Sequence, residues 1–212
     1  MTVSKRIQCG FTAFLGLCFL GVLLAASDPV AQLSQTADQM ISALKSNKAA
    51  IKSNPAMVEG LARNILLPQA NVELMAKLAL GRDGWNNATD QQRAEFTNSF
   101  TTLMIRTYAS AFSAYTDETV KFFPLRPGDM NGDRVQIKSE ILQDGGPPIP
   151  VNYRLLQQGE GWKVYDITVD GVSLIQSFRS QFASQLSQGG MDQLLAALNQ
   201  HNAKLKKCAK HN

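Results

Sequence analysis

Apolar residues recur at three- and four-residue spacing along the first third of the chain. Val30, Leu33, Ala37, Met40, Ile41 and Leu44 form one helical stripe. Asn54-Pro55 reads as an N-cap followed by proline at a first helical position, ahead of Val58, Leu61, Ile65 and Leu66 and a stop at Pro68. Val72, Met75, Leu78 and Ala79 mark a third helix, which Gly81 should end. Thr89 with Gln92 fits a capping box and opens the longest expected helix. Its apolar side is aromatic: Phe96, Phe100, Leu103, Met104, Tyr108, Ala111, Phe112 and Tyr115.

The period then drops to two. ETVKFFPL, DRVQIKSEIL, IPVNYRLLQ and WKVYDITVD read as four strands, separated by turn residues at 131–133, 144–148 and 159–161. Val135, Ile137, Ser139 and Ile141 alternate with Gln136, Lys138 and Glu140, and Val151, Tyr153 and Leu155 alternate with Asn152 and Arg154. Those two strands should have one apolar and one wet face, as in an antiparallel meander. In the fourth, Tyr165, Ile167 and Val169 share one expected face, and Trp162 and Val164 the other. Asp170-Gly171 turns the chain, Ser173 with Gln176 offers a second capping box, and Ile175, Phe178, Phe182 and Leu186 carry a helix to Gly189-Gly190. Met191, Leu194, Leu195 and Leu198 make a last one. The order predicts an α+β fold in which a four-stranded antiparallel sheet packs against several helices.

The first 27 residues are of another kind. Lys5-Arg6, an apolar run from Phe11 to Ala26 and the small residues Ala25-Ala26-Ser27 follow the secretory signal-peptide order. The run is about 16 residues, short of the roughly 20 that span a bilayer. A retained anchor is the competing reading. Cys18 as a lipid-modified cysteine is disfavoured because Leu17 stands where a small residue belongs. The expected division is a cleaved leader at 1–27, one domain at 28–203 and a basic tail at 204–212.

Loss of Lys5 and Arg6 takes the 21 basic residues to 19 against 17 acids, a balance of +2. Nucleic-acid binding needs clustered positive charge, so it is not expected. Lys204, Lys206, Lys207 and Lys210 are either a solvated helix end or a weak contact with anionic membrane. Only Cys208 of the three cysteines remains after cleavage, so a core and no internal disulfide must hold the domain.

Catalytic chemistry finds little support. His201 and His211 are the two histidines, and no metal or nucleophile motif accompanies them. Asp166, inside an apolar strand, is either a structural carboxylate or a general base with a raised pKa. Asp170 shapes a turn. Trp85 and Trp162 read as core or rim.

The blocks GWKVYDITVDGVSLIQSFRSQF and GGMDQLLAALNQ, with ILLPQANVELMAKLALGRDGWNNATDQQRAEFTNSF upstream, resemble the MlaC-type (toluene-tolerance) periplasmic phospholipid-binding proteins. The resemblance runs from about Asp38 to Leu198. It implies a monomeric, non-enzymatic carrier in the periplasm, with phospholipid as cargo and no cofactor, that maintains outer-membrane lipid asymmetry. Implied partners are an inner-membrane ABC transporter with a substrate-binding ring and an outer-membrane lipoprotein–porin complex. It further implies an apolar cavity between sheet and helices.

A chain of roughly 16 carbons costs about 12 kcal/mol to leave wet, at about 0.8 kcal/mol per methylene, so a carrier must enclose it. The strands offer Val135, Ile137, Ile141, Val151, Tyr153 and Leu155, then Tyr165, Ile167 and Val169. Val172, Ile175 and Phe178 follow the turn, and the aromatic helix offers Phe100, Leu103, Met104 and Tyr108. Met75, Met104 and Met130 would suit a deformable lining. Each of these side chains would look the same in a dry core. An uncharged cavity predicts broad head-group tolerance. The competing functions are a small enzyme with a cone-shaped cavity and Asp166 as base, and an envelope adaptor with a dry core.

Overall fold

The computed structural model describes residues 28–113, 115, 117–143 and 145–208. The expected leader, and Lys210 and His211 of the tail, lie outside the described residues. Helix α1 spans Pro29–Ser46, and its first turn is closed by Asp28, whose Oδ1 accepts from the Val30 N–H at 3.0 Å. A short α2 (Lys48–Ser53) follows, with Ile51 as its one buried residue. Asn54-Pro55 does not cap α3 (Met57–Ile65). Asn54 ends α2 instead, and its carbonyl accepts from the Met57 N–H at 3.0 Å.

After a 3-10 turn at Leu67–Gln69, α4 spans Val72–Asn87, capped by Asn71 through the Leu74 N–H at 2.9 Å. Gly81 breaks this helix with φ 78°, a conformation that glycine adopts without penalty, but the chain resumes its helix to Asn87. Helix α5 (Asp90–Ser113) starts with both halves of the expected box. The Gln92 N–H donates to Thr89 Oγ1 at 3.2 Å, and the Thr89 N–H donates to Gln92 Oε1 at 3.0 Å. The two expected C-terminal helices are the halves of α6 (Leu174–Cys208), which Gly190 interrupts with φ 68°.

Among the described residues the sheet has six strands where four are expected. The long ones are β1 (Thr119–Phe122), β3 (Arg134–Leu142), β4 (Ile149–Gln158) and β5 (Gly161–Val169), in the spatial order β1-β3-β4-β5 and all antiparallel. Two-residue strands β2 (Met130–Asn131) and β6 (Val172–Ser173) pair with β3 and β5. Asp170 (φ 50°) and Gly171 (φ 81°) are the two central residues of the β5–β6 hairpin. Positive φ at both is what a tight hairpin turn following the sheet twist demands. The Asp-Gly corner therefore turns strand into strand before α6 begins.

A second correction concerns facing in β5. Val169 and Ile167 oppose Val151 and Tyr153, and Asp166 opposes Arg154, but Leu155 opposes Val164. Tyr165 is the extra residue of a bulge, and an extra residue shifts the alternation by one. Val164 therefore joins Ile167 and Val169 on the face of Val135, Ile137, Val151 and Leu155, while Tyr165 packs among the helices behind. Helix α1 covers the first face through Val30 and Leu33, whereas α4, α5 and α6 pack behind the sheet on Tyr165 and Leu156.

The open edge at the start of β5 is blunted by side-chain amide and loop. Gln32 of α1 accepts from the Trp162 N–H at 3.0 Å and donates to its carbonyl at 2.7 Å, and the Asn71 N–H donates to Val164 O at 2.8 Å.

Glu59 ties three helices together. It meets Arg106 Nε at 3.0 Å and Arg63 Nη2 at 3.0 Å, and Arg106 also donates to the Asn202 carbonyl at 2.8 Å. Burial pushes the Glu59 carboxyl up, but the hydrogen bonds from Arg106 and Arg63 outweigh it and hold the group below its ordinary value of 4.5. A carboxylate with a lowered folded pKa contributes stability above its unfolded value, and loses it as pH falls through the folded one. Glu59→Gln should cost about 1.5–3 kcal/mol at neutral pH. Its urea midpoint should converge on the parent's below pH 4.5; a difference that stays constant with pH would remove the ion pair from the account.

Candidate functional site

The sixteen candidate wall residues separate into two main groups on opposite sides of the sheet. Phe100, Leu103, Met104, Tyr108, Tyr165, Ile175 and Phe178 belong to the core between α4, α5, α6 and the back of β5. Phe100 meets the Phe178 ring edge-on at 5.2 Å and stacks on Phe96 at 5.7 Å, and Phe178 stacks on Phe182 at 5.7 Å. These are contacts of a filled interior. Burial raises the Tyr108 phenol above its ordinary range.

Val135, Ile137, Tyr153, Leu155 and Ile167 form the second group, on the front face with Leu33, Trp162 and Val164. Val151 is buried on the same face, Ile141 and Val169 are half-buried there by register, and Val172 on β6 is 58% exposed. The half-buried members adjoin one another: Tyr153 opposes Ile167, with buried Ile137 on its other side, and its ring lies 6.1 Å from Phe122. Burial raises the Tyr153 phenol as well, against the opposing effect of a hydrogen bond with Ser139. Ser139 is a polar group that the apolar alternation hides. It is buried on this face, and its Oγ donates to the Val151 carbonyl at 3.1 Å.

A third apolar region was legible only as helical stripes. Met40, Leu44, Ile51 and Val58 are buried, and around them Met57, Leu61, Ile65, Leu66, Ala109, Phe112 and Tyr115 are only partly so. Helix α1 joins this region to the sheet face. Leu33 lies in one and Leu44 in the other, about 16 Å apart along the helix at about 1.5 Å per residue. Its signal in the sequence was the unbroken stripe from Val30 to Leu44.

Two open clefts indent the surface of the described residues. One of about 300 Å³ is lined by Leu44, Lys45, Lys48, Ile51, Lys52, Phe112, Ser113, Tyr115 and Asp117. The other, about 570 Å³, is a groove between the broken helices α4 and α6, with Leu80, Gly81, Arg82, Arg179, Ala183, Leu186 and Met191 along it. Neither is lined by any of the sixteen residues.

Asp166 is held as a structural carboxylate. The Ser173 hydroxyl donates to it at 2.9 and 3.0 Å, the Ile175 N–H approaches at 3.4 Å, and Arg154 stands at 3.9 Å. The carboxylate thus anchors the start of α6, where helix N–H groups lack partners. The Gln176 N–H donates to Ser173 Oγ at 3.1 Å, which is one half of the expected second box. Asp166→Asn should cost about 1.5–3 kcal/mol, since it removes a buried charge that accepts these bonds. The amount of lipid carried per folded molecule should stay the same; reduced lipid in a fully folded variant would give Asp166 a role at the ligand.

Among the described residues no group of three or more His, Cys, Asp or Glu is placed to hold a metal ion, and no helix is long and apolar enough to cross a membrane.

The architecture is that of an α+β protein whose sheet carries an apolar front face flanked by half-buried helices. Residues 34–200 match the family model described as MlaC protein, and the chain belongs to that family. It is 28% identical over 181 residues to the intermembrane phospholipid transport system binding protein MlaC of Haemophilus influenzae, covering 84% of this chain and 83% of that one. It is 27% identical over 169 residues to toluene tolerance protein ttg2D of Pseudomonas putida, covering 80% and 78%. A phospholipid-binding protein from Ralstonia solanacearum, solved in complex with a phospholipid, superposes with a TM-score of 0.78 at 30% identity. The match covers 85% of this chain and 99% of that one.

Proposed function

We propose that this chain is a periplasmic phospholipid carrier, which encloses acyl chains and shuttles lipid between the outer and inner membranes to maintain outer-membrane lipid asymmetry. The carrying observation is the set of half-buried apolar side chains, Phe122, Tyr153 and Ile167 on the sheet, Leu61, Ile65 and Phe112 on the helices, and Tyr115 just past the end of α5. In a protein whose other core is closed by interlocked phenyl rings, such surface is what an acyl chain would complete. The lipid-bound state of the Ralstonia relative and the family of the chain support the same reading.

On this reading the leader at 1–27 is removed on export and residues 28–203 work as one domain. The partners are an inner-membrane ABC transporter with a substrate-binding ring and an outer-membrane lipoprotein–porin complex. The protein performs no catalysis and takes phospholipid as cargo. The test is the mature chain from Asp28, purified without detergent and weighed under native conditions before and after solvent extraction. Adducts of phospholipid mass at near-unit stoichiometry are expected. A clean protein that also takes no lipid from liposomes would overturn the carrier reading in favour of an adaptor with a dry core.

A further inference from the structure

The smaller cavity combines two chemistries that an ordinary surface keeps apart. Its floor is apolar, made by Leu44 and Ile51 with Phe112 and Tyr115 of the half-buried region. Its rim carries three lysines, Lys45, Lys48 and Lys52, against one acid, Asp117. None of the three lysines has an ion pair or hydrogen bond among the described residues, whereas Lys138 pairs with Asp129 at 2.7 Å and Lys163 donates to the Pro68 carbonyl.

Local structure accounts for these charges only in part. Lys45 and Lys52 occupy the last turns of α1 and α2, where positive charge suits the helix end. Lys48 is the first residue of α2, where the helix field opposes it. Lys48 and Lys52 are also four apart on one short helix, a spacing at which like charges repel. A bound anion would relieve both conflicts.

We propose that this cavity receives the phosphate of a bound anionic phospholipid, with Lys45, Lys48 and Lys52 as its charge partners. The inference deepens the carrier reading and rests on it. Ammonium groups are point charges on flexible stems and read charge more than shape. The site therefore favours a head group with net negative charge over a zwitterion, whose own ammonium offsets the phosphate. This narrows the broad head-group tolerance that an uncharged cavity predicts.

The test offers the mature protein mixed vesicles of equal phosphatidylglycerol and phosphatidylcholine with matched chains. The protein is then separated from the vesicles and its extracted lipid weighed. In one mixed membrane, adhesion delivers both lipids equally, so the bound ratio reports head-group contact. The parent should be enriched in phosphatidylglycerol by roughly three- to ten-fold, the scale of a few exposed charge contacts. The Lys45→Gln, Lys48→Gln, Lys52→Gln triple variant should fall to a ratio near one, the loss falling on phosphatidylglycerol, and Lys48→Gln alone should lie between.

A parent that carries both lipids equally, or enrichment that survives in the triple variant, overturns this proposal and leaves the carrier intact. A parent that takes up neither lipid overturns the carrier reading and this inference with it. Inorganic phosphate, titrated into lipid-free protein at constant ionic strength, separates the two sources of the anion. Saturating shifts of the lysine resonances without phosphatidylglycerol enrichment would assign the rim to free phosphate and overturn the lipid assignment.

Discussion

Phe100→Ala is expected to lower the unfolding free energy by about 3–5 kcal/mol, the range for deleting a fully enclosed phenyl ring. Phe100 has no exposed surface. Its ring stacks on Phe96 and receives Phe178 and Phe182 edge-on at 5.2 and 5.8 Å, so its removal strips contacts from three other rings at once. Phe96 and Phe100 are four apart on α5, Phe178 and Phe182 four apart on α6, and the two pairs interlock. The measurement is urea unfolding followed by the fluorescence of Trp85 and Trp162. A loss under 1 kcal/mol with bound lipid abolished would move Phe100 from the packed core to the lipid wall.

That distinction is what the sequence could least express. Three- and four-residue spacing shows that Phe96, Phe100 and Leu103 share a side of their helix, but says nothing of what faces them. The structure divides that one stripe between two regions. Phe96 and Phe100 lock against α6, while Phe112 and Tyr115, the latter just past the end of α5, lie against Met40, Leu44, Ile51 and Val58. Strand positions were far more legible, because alternation over eight or nine residues has few competing explanations. Thr89 and Gln92 were legible for the same reason, since a hydroxyl and an amide at that spacing satisfy each other's backbone groups.

The misreadings have physical causes. The bulge at Tyr165 leaves the pattern of β5 looking regular, because an extra residue shows only against the partner strand's register. Helix α2 holds six residues and one buried side chain, too few to establish a period. Val172-Ser173 looks like a helix entry, and Ser173 does serve α6, but the same two residues first pair with Thr168 and Val169. The breaks at Gly81 and Gly190 were legible as glycine stops. That each helix resumes beyond its break follows from packing: Trp85 past the first and Leu194, Leu195 and Leu198 past the second are buried in the same core. Asp166 was legible as a choice between two roles, and the Ser173 hydroxyl and Ile175 N–H at its carboxylate account for it by helix anchoring.

Ile167→Asp should separate carriage from folding in the opposite sense to Phe100→Ala. Ile167 is half-buried on the front face, opposite Tyr153 and beside Val169, so a carboxylate there keeps part of its hydration while no lipid covers the face. Stability should fall by about 1–2 kcal/mol, the ordinary cost of trading partly buried apolar area for a solvated polar group. An acyl chain laid on the face would exclude that water, and an unpaired charge against hydrocarbon costs several kcal/mol. Bound phospholipid should therefore drop more than tenfold, since each 1.4 kcal/mol is a factor of ten. Ile167→Leu, which keeps volume and polarity, should leave both properties near the parent. Native mass and the urea midpoint are read on the same three proteins. Full lipid loading in a folded Ile167→Asp variant would take the acyl chains off the sheet face, and the half-buried helices around Leu61, Ile65 and Phe112 would then have to enclose them alone.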